Sequence, residues 1–265
     1  MNKGYVILAQ NTHEIDYVGC AEALALSIKK AMPESNITLI SDNQSDCSAF
    51  DNIVALPYGD LAPTSNWKLI NDWQVYEASP YDYTIKLEAD MIVPSNIDYY
   101  WDAFKDRDLV VSTDIRNYRG DIVKDVYYRQ FIINNNLPNC YNALTYFRKS
   151  ELAKQFFELV KDIFKNWEQY KLILKCKSTE EVSTDWAYSI ACHILGIENT
   201  TMNSYDKFTM VHMKQMINDL ATNDWTQELV TEFTENGFRI NTFVQKHPFH
   251  YHVKDFNKVV KKNVR

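Results

Sequence analysis

Short apolar segments alternate with a helical segment over the first 57 residues, and this alternation constrains the fold more than any other feature of the sequence. Residues 4–9 (GYVILA), 36–43 (NITLISDN) and 52–57 (NIVALP) have the length and apolar character of buried strands. Between the first two lies GCAEALALSIKKAMP, whose apolar residues share one helical face and which ends at Pro33. This order predicts an α/β fold with a mostly parallel central sheet flanked by helices.

The rest of the chain adds further segments of both kinds. We predict helices at 64–79, 151–174 and 183–196, and strands at 81–93, 108–113 and 142–150. Beyond residue 197 the pattern mixes loop, short strand and a basic tail. Because no internal repeat, low-complexity segment or linker interrupts the 265 residues, we expect a single domain.

Composition argues against several classes of protein. The formal net charge of −7 disfavours a globally basic nucleic-acid-binding protein. The five cysteines are scattered and never form C-x-x-C, so we expect no zinc knuckle or disulfide framework, and a reducing cytoplasm fits best. No signal peptide and no apolar stretch of about 18 residues is visible, so we expect no membrane partner. The six glycines form no Gly-rich phosphate loop, so a phosphate site must be built another way.

The strand predicted at 81–93 carries two carboxylates, Glu88 and Asp90, with Lys86 just before them. Ligands of open α/β sheets bind beyond the carboxyl ends of the strands. In an extended chain, residues two apart point to the same side, so the two acids can share a hard divalent cation, Mg²⁺ or Mn²⁺. Such an ion would neutralise a diphosphate. The alternative is a pair of polar residues at a strand exit. Lys86 is expected to pair with these carboxylates or to orient them.

The segment YDYTIKLEADMIVPSNID resembles the D-x-D strand of GT-A glycosyltransferases, a strand whose typical sequence is LDADMIV. It is similar to the glycogenin-like families, and the whole-chain pattern looks closest to glycosyltransferases of large tailed phages that modify hydroxymethylcytosine in DNA. The resemblance is strong over 83–94 and weak elsewhere. It implies one GT-A-like domain, with a nucleotide-sugar-binding half (1–115) and an acceptor-side half (116–265). The usual first Asp is Glu88 here, so Asp90 is the firmer metal ligand.

The same resemblance implies the other donor-site residues. A metal-binding histidine is expected near the C-terminus, where KHPFHYHVKDF offers His250 and His252, with Lys254 as a diphosphate contact. His252 is slightly preferred because Lys254 follows it closely. The remaining candidates for contact with the donor, a UDP-sugar by preference, are Gln10, Asn11, Thr12, Asp42, Lys68, Lys86 and Glu88. The alternatives are turn-forming roles for Asn11 and Asp42, a surface position for Lys68, and core or solvated positions for the histidines.

Two residues match the family's sugar-side and catalytic positions. Asn142 in CYNALTYFRKS resembles the sugar-contacting Asn, and Asp185 in STDWAYSIA resembles the Asp at the start of a helix. Asp185 is equally an acid suited to the first turn of a helix. His212 and Lys214 in MVHMKQM are assigned to the acceptor or to the diphosphate.

Two basic clusters point to the acceptor. The first interleaves Arg116, Arg119, Lys124 and Arg129 with Tyr118, Tyr127 and Tyr128, and the second is the tail containing Lys254, Lys258, Lys261, Lys262 and Arg265. Arginines and tyrosines suit phosphate contacts and stacking on an exposed base. Together with these clusters, the resemblance to the phage glycosyltransferases implies modified double-stranded phage DNA as the acceptor, with glucosyl or arabinosyl transfer to 5-hydroxymethylcytosine. The alternatives are a flexible loop over the donor and a solvated chain end.

The sequence thus predicts a metal-dependent glycosyltransferase of the cytoplasm, the host cytoplasm if the protein is phage-encoded. A glycan or protein acceptor is an alternative, as is a sugar-nucleotide-binding module without catalysis. A metal-dependent nuclease or nucleotidyltransferase is disfavoured, because Lys86 precedes Glu88 whereas an E-x-K signature needs the lysine after the acid.

Overall fold

The computed structural model describes residues 2–123, 129–177, 179–198, 207–235 and 237–264. Four residues of the two basic clusters lie outside these ranges, namely Lys124, Tyr127, Tyr128 and Arg265. Within the described residues, no helix combines the length and the apolar character that crossing a membrane requires.

A six-stranded sheet forms the centre of the molecule, in the order β3-β2-β1-β4-β9-β6. Its strands are β1 (Lys3–Leu8), β2 (Ile37–Ile40), β3 (Asn52–Val54), β4 (Tyr83–Glu88), β6 (Leu109–Ser112) and β9 (Tyr141–Arg148). The first four strands are parallel, whereas β9 runs antiparallel to both β4 and β6. The predicted α/β fold with a mostly parallel sheet is confirmed.

Helices cover both faces of this sheet. Helix α1 (Tyr17–Ala31) packs on one face, and α5 (Glu151–Lys165) and α7 (Thr184–Leu195) pack on the other. Alternate residues of β1 show the division, because Tyr5 lies in the core with α1 and Val6 lies in the core with α5 and α7. Burial on both faces explains why β1, β2 and β6 read as mostly apolar runs.

A second, five-stranded sheet follows the order β5-β14-β10-β7-β8, and a three-stranded antiparallel sheet has the order β11-β12-β13. Their strands are β5 (Met91–Ile92), β7 (Ile115–Arg116), β8 (Ile122–Val123), β10 (Met210–His212), β11 (Thr231–Thr234), β12 (Gly237–Ile240), β13 (Phe243–Gln245) and β14 (Phe249–His250). Strand β5 follows β4 directly and pairs with β14. The carboxyl end of β4 is therefore held against the second sheet.

Shorter helices connect these elements. They are α2 (Val75–Ala78), α3 (Tyr99–Phe104), α4 (Gln130–Asn134), α6 (Trp167–Lys171), α8 (Gln215–Asn218) and the 3₁₀ helices Leu69–Gln74 and Trp225–Gln227. The basic tail forms α9 (Phe256–Val264), which packs on α1, and Lys261 pairs there with Glu22. The tail is thus a docked helix over these residues, which argues against the alternative of a solvated chain end.

Three predicted elements needed correction. The helix expected at 64–79 begins only at Leu69. The backbone N–H of Trp67 donates to the Ser65 hydroxyl, and the ammonium of Lys68 pairs with Asp60. These contacts hold residues 64–68 in a non-helical conformation. The helix expected at 151–174 ends at Lys165, because Asn166 leaves helical geometry and its side chain donates to Asp162.

The third correction concerns the strand expected at 81–93, which is divided between the two sheets. Strand β4 ends at Glu88, a turn covers Ala89 and Asp90, and β5 then pairs in the second sheet. Asp90 therefore reaches the site from a turn and not from an extended strand. By contrast, the helix predicted at 183–196 has the expected ends, since Ser183 caps its first turn and Gly196 ends it with φ of 62°.

Candidate functional site

A cavity of about 400 Å³ lies beyond the carboxyl ends of β1 and β4. The second sheet and the start of α7 close its sides, through residues of β10, β14 and 183–185. Most of the predicted site residues line it: Gln10, Lys68, Lys86, Glu88, Asp90, Asn142, Asp185, His212, Lys214, His250, His252 and Lys254. This position agrees with the rule that ligands of open α/β sheets bind at strand carboxyl ends.

Two carboxylates and one imidazole converge at the bottom of this cavity. The Nε2 atom of His250 lies 3.0 Å from Asp90 Oδ2 and 3.3 Å from Glu88 Oε2. The pairing of β5 with β14 brings them together, because His250 is the register partner of Met91. The ammonium of Lys254 contacts the same Asp90 oxygen. We call Glu88, Asp90 and His250 the carboxylate trio.

The carboxylate trio fits a hard divalent cation. Ligands at about 2.1 Å from an octahedral ion lie about 3.0 Å from one another, close to the spacings between His250 and the two carboxylates. The two carboxylates are ligands that suit Mn²⁺ or Mg²⁺. Three of the four residues predicted as metal ligands thus have ligand atoms that converge, and the histidine among them is His250, not the slightly preferred His252.

The two carboxylates differ in their electrostatics. Burial by itself would raise the pKa of Asp90, but His250 and Lys254 outweigh burial and hold that pKa well below its usual range. Burial raises the pKa of Glu88, and the charge of His250 offsets this only in part. Asp90 is therefore the firmly ionised member of the trio, and Glu88 is the more easily protonated one.

Asn142 and Asp185 are joined to the trio by hydrogen bonds. The Asn142 side-chain amide donates to Glu88 Oε1 at 2.9 Å, and its backbone N–H donates to Asp185 Oδ1 at 2.8 Å. Arg129 donates to the other Asp185 oxygen at 2.6 Å. Since both oxygens have fixed donors, Asp185 is a positioned carboxylate in the cavity wall.

Arg129, predicted as an acceptor contact, lies behind that wall. Its side chain is buried, lies over the ring of Tyr141 and also donates to Asn139 and to the carbonyl of Cys140. Its guanidinium thus fixes Asp185 and the start of β9 from below. Sequence reasoning assigned it to the surface because arginines beside tyrosines suit a phosphate surface equally well.

Lys86 does not pair with Glu88 or Asp90, contrary to expectation. Its side chain is 1% exposed, its ammonium contacts Asp72, and the hydroxyl of Tyr188 donates to Asp72 at 2.8 Å. A charge buried in a strand needs a partner of opposite charge, and Asp72 on the 3₁₀ helix provides it. Asp72 was not among the predicted site residues, although a lysine within an apolar strand is itself a signal that a buried carboxylate lies nearby.

Three histidines form a second cluster beside the trio. His212 and His250 are register partners in β10 and β14, and His252 follows with a left-handed backbone of φ 59°. Nε2 of His252 lies 3.3 Å from Nδ1 of His212, and the rings of His250 and His252 stack with centroids 3.9 Å apart. Burial lowers the pKa of His212 and of His252 well below the usual range, so both rings are neutral at physiological pH. We call His212, His250 and His252 the imidazole trio.

At the end of β1, Gln10 lines the cavity and its side chain donates to Asp42 at 3.3 Å. The side-chain oxygen of Gln10 accepts from Asn71 at 2.8 Å. Asn11 accepts from the backbone N–H of Val18 in the first turn of α1, and Thr12 accepts from that of Ile15 in the loop before it. Among the described residues, they and Asp42 are not part of the cavity lining. The bond of Asn11 fits its turn-forming alternative, whereas Asp42 accepts from the side chain of Gln10.

The remaining acceptor candidates also lie away from the cavity lining. Arg116 donates to the carbonyl of Gly120, Arg119 pairs with Asp219 on the surface, and Tyr118 is buried. Sequence reasoning missed several residues that do line the cavity: Tyr17, Asn66, Trp67, Asp72 and Tyr141. No motif marks them, because their role depends on which loops meet at the strand ends.

Comparison with known proteins places the fold. No protein-family model matches the chain, and no curated protein does. The galactosyltransferase LgtC, solved with donor and acceptor sugar analogues, matches with a TM-score of 0.58 and 12% identity over 98% of this chain and 95% of that chain. The apo form of mouse xyloside xylosyltransferase 1 matches with a TM-score of 0.55 and 11% identity over 96% and 98%.

The glycosyltransferase GlyE of Streptococcus pneumoniae TIGR4 matches with a TM-score of 0.52 and 9% identity over 100% of this chain. The present chain spans only 60% of GlyE. At such low identities these comparisons establish the fold, which is that of GT-A glycosyltransferases.

Proposed function

We propose that this protein transfers a sugar from a nucleoside diphosphate sugar, a UDP-sugar by preference, to an acceptor hydroxyl, with Mn²⁺ or Mg²⁺ as its cofactor. One observation carries the proposal: ligand atoms of Glu88, Asp90 and His250 converge in the cavity at the carboxyl end of β4. The GT-A fold supports it, since its solved neighbours include glycosyltransferases.

The residues of the cavity divide the work by charge. Held by the carboxylate trio, the cation would neutralise the diphosphate as the bond to the sugar breaks. Lys254 is 27% exposed and opens to the cavity, so its ammonium can leave Asp90 and donate to a diphosphate oxygen. Gln10 lies at the end of β1, where a nucleoside would meet the sheet.

The sugar would lie between the diphosphate and the start of α7. There Asp185 is held by Arg129 and by the backbone of Asn142, which suits a carboxylate that accepts from a sugar hydroxyl or faces the anomeric carbon. Asn142 is bound to Glu88, so the sugar side and the metal side are mechanically linked. Asp185 and Asn142 remain our candidates for catalysis.

The proposal is tested by thermal unfolding with nucleotides and sugar nucleotides, with and without Mn²⁺. A ligand at about 100 times its dissociation constant adds about 2.7 kcal/mol of stability. We expect a Mn²⁺-dependent shift with UDP or another nucleoside diphosphate that is lost in Asp90→Asn and kept in Asp255→Asn, which changes an exposed aspartate of the same charge. The absence of any shift across the panel would reject the donor site.

The acceptor we propose is modified double-stranded DNA. Its support is the pair of cationic side chains Arg116 and Arg119 at the β7–β8 turn, which suit contacts with DNA phosphates. Strand β7 pairs with β10, which carries His212 of the cavity, so this turn belongs to the same sheet as one wall of the cavity. A gel-shift assay at low and moderate salt tests this, with the double variant Arg116→Ala/Arg119→Ala as comparison. Absence of binding to duplex DNA at low salt would favour a glycan or protein acceptor.

A further inference from the structure

The imidazole trio has a donor set of its own. It consists of nitrogens alone, and each residue offers one ring nitrogen within 4.8 Å of the others. Two strands supply it, because His212 in β10 and His250 in β14 are register partners. A cluster of three imidazoles suits a borderline transition metal ion such as Zn²⁺ or Co²⁺, whereas oxygen ligands suit Mg²⁺.

The spacing between two members of the imidazole trio, His212 and His252, matches that chemistry. Two ligands of a tetrahedral ion with bonds of about 2.0–2.1 Å lie about 3.3 Å apart. His252 Nε2 and His212 Nδ1 are separated by 3.3 Å. Their rings are nearly perpendicular, at 86°, so the two nitrogens meet without the rings competing for the same space.

Backbone and burial give two further indications. His252 has a left-handed backbone, which is unfavourable for a residue with a side chain and is frequent at functional sites. His250 is 5% exposed, and its Nδ1 atom has no hydrogen-bond partner among the residues that the structure describes. A buried ring nitrogen without a partner is costly unless a ligand satisfies it.

We propose that His212, His250 and His252 form a second cation site, distinct from the carboxylate trio, that binds a transition metal ion of the Zn²⁺ and Co²⁺ class. His250 belongs to both trios, and a neutral imidazole has only one unprotonated nitrogen, so this residue can serve as ligand to only one of the two ions at a time. The two sites therefore compete, and Zn²⁺ binding at the imidazole trio weakens Mn²⁺ binding at Glu88 and Asp90. The site requires no nucleotide, so it stands or falls separately from sugar transfer.

The test is a titration of the full-length, metal-free protein with Co²⁺, followed by visible absorption. We expect saturable binding and the intense visible bands that Co²⁺ shows in a four-coordinate site with nitrogen ligands. His212→Gln should weaken Co²⁺ binding at least about tenfold, since even changes to groups that only orient a ligand weaken metal binding 10–100-fold. The matched control is His193→Gln, which alters a surface histidine paired with Glu198 and should leave Co²⁺ binding unchanged.

A parallel titration with Mn²⁺, followed by electron paramagnetic resonance, separates the two sites. His212→Gln should lower Co²⁺ affinity more than Mn²⁺ affinity, and Glu88→Gln should show the reverse order. If both variants lost affinity for Co²⁺ and for Mn²⁺ equally, the two trios would form one mixed site and the proposal would be overturned. Co²⁺ binding that is unaffected by His212→Gln would overturn it as well.

Because His212 is buried, His252→Gln serves as a second variant at a half-buried position. It carries the same expectation and decides the matter if His212→Gln does not fold. Neither experiment uses a nucleotide. A failed Co²⁺ titration thus leaves the nucleotide-dependent thermal shift as a separate test of the proposed transferase activity.

Discussion

Two lysines contact carboxylates at the same cavity, and their surroundings differ. Lys86 is 1% exposed and belongs to a closed network with Asp72 and Tyr188. Lys254 is 27% exposed, and its partner Asp90 also contacts His250. Burial would lower the pKa of Lys254, but Asp90 outweighs it and the pKa is raised. The Lys86–Asp72 pair therefore supports the floor of the cavity, whereas Lys254 is placed to exchange Asp90 for another partner.

The largest expected effect comes from opening the closed network. Asp72→Ala leaves the ammonium of Lys86 buried without its charge partner, which should lower the free energy of unfolding by about 3–5 kcal/mol. Urea denaturation measures this loss. Adding Lys86→Met should recover more than half of it, because the uncompensated charge is then gone. A loss below about 1 kcal/mol would contradict the closed-network interpretation.

The next largest effect concerns the Lys254–Asp90 pair and is expected in the affinity for UDP. Lys254→Met keeps the aliphatic stem and removes the charge, so the protein should bind UDP with Mn²⁺ about 10–100-fold more weakly. Calorimetric titration gives the dissociation constants. Lys258→Met, which removes an exposed charge nearby, should bind as the unaltered protein does. Equal affinities in the two variants would show that Lys254 is not a diphosphate contact.

A third prediction sets Glu88 against Asp90 in the metal-free protein. At neutral pH the ionised Glu88 is disfavoured by burial, so Glu88→Gln should raise the melting temperature by about 2–4 °C, or about 1 kcal/mol. Asp90→Asn should lower it, because His250 and Lys254 lose the charge that they stabilise. Scanning calorimetry of both variants checks the opposite signs.

The pH dependence of the Glu88 effect follows from the raised pKa. A group whose pKa is raised by folding contributes stability at low pH that is lost as the pH rises through its folded pKa. The advantage of Glu88→Gln should therefore disappear as the pH falls and Glu88 becomes protonated. An advantage that persists in acid would point to altered packing instead of charge.

The smallest effect is expected far from the cavity. Lys261 on α9 pairs with Glu22 on α1, and both side chains are about one-fifth exposed. Lys261→Ala should lower the free energy of unfolding by about 0.2–1 kcal/mol, as is typical of pairs near the surface. Urea denaturation measures it. A DNA gel shift that is unchanged in this variant would indicate that the docked tail serves packing and not the acceptor.

Sequence by itself determined the features that depend on near neighbours along the chain. The apolar segments fixed the α/β class, and Ser183 and Gly196 gave both ends of α7. The position of Glu88 and Asp90 at the end of a buried strand depends only on the local order of residues, and the structure places both at the cavity. Such inferences need no knowledge of which distant segments meet.

Tertiary structure alone decided the partners across the chain. His212 joins His252 over a separation of 40 residues because β10 pairs with β14 in one particular register. Lys86 meets Asp72 instead of Glu88 because the 3₁₀ helix lies against β4, and Arg129 meets Asp185 because it is buried behind β9. Register and burial depend on how distant elements pack together, and the side-chain pattern within any one segment does not specify them.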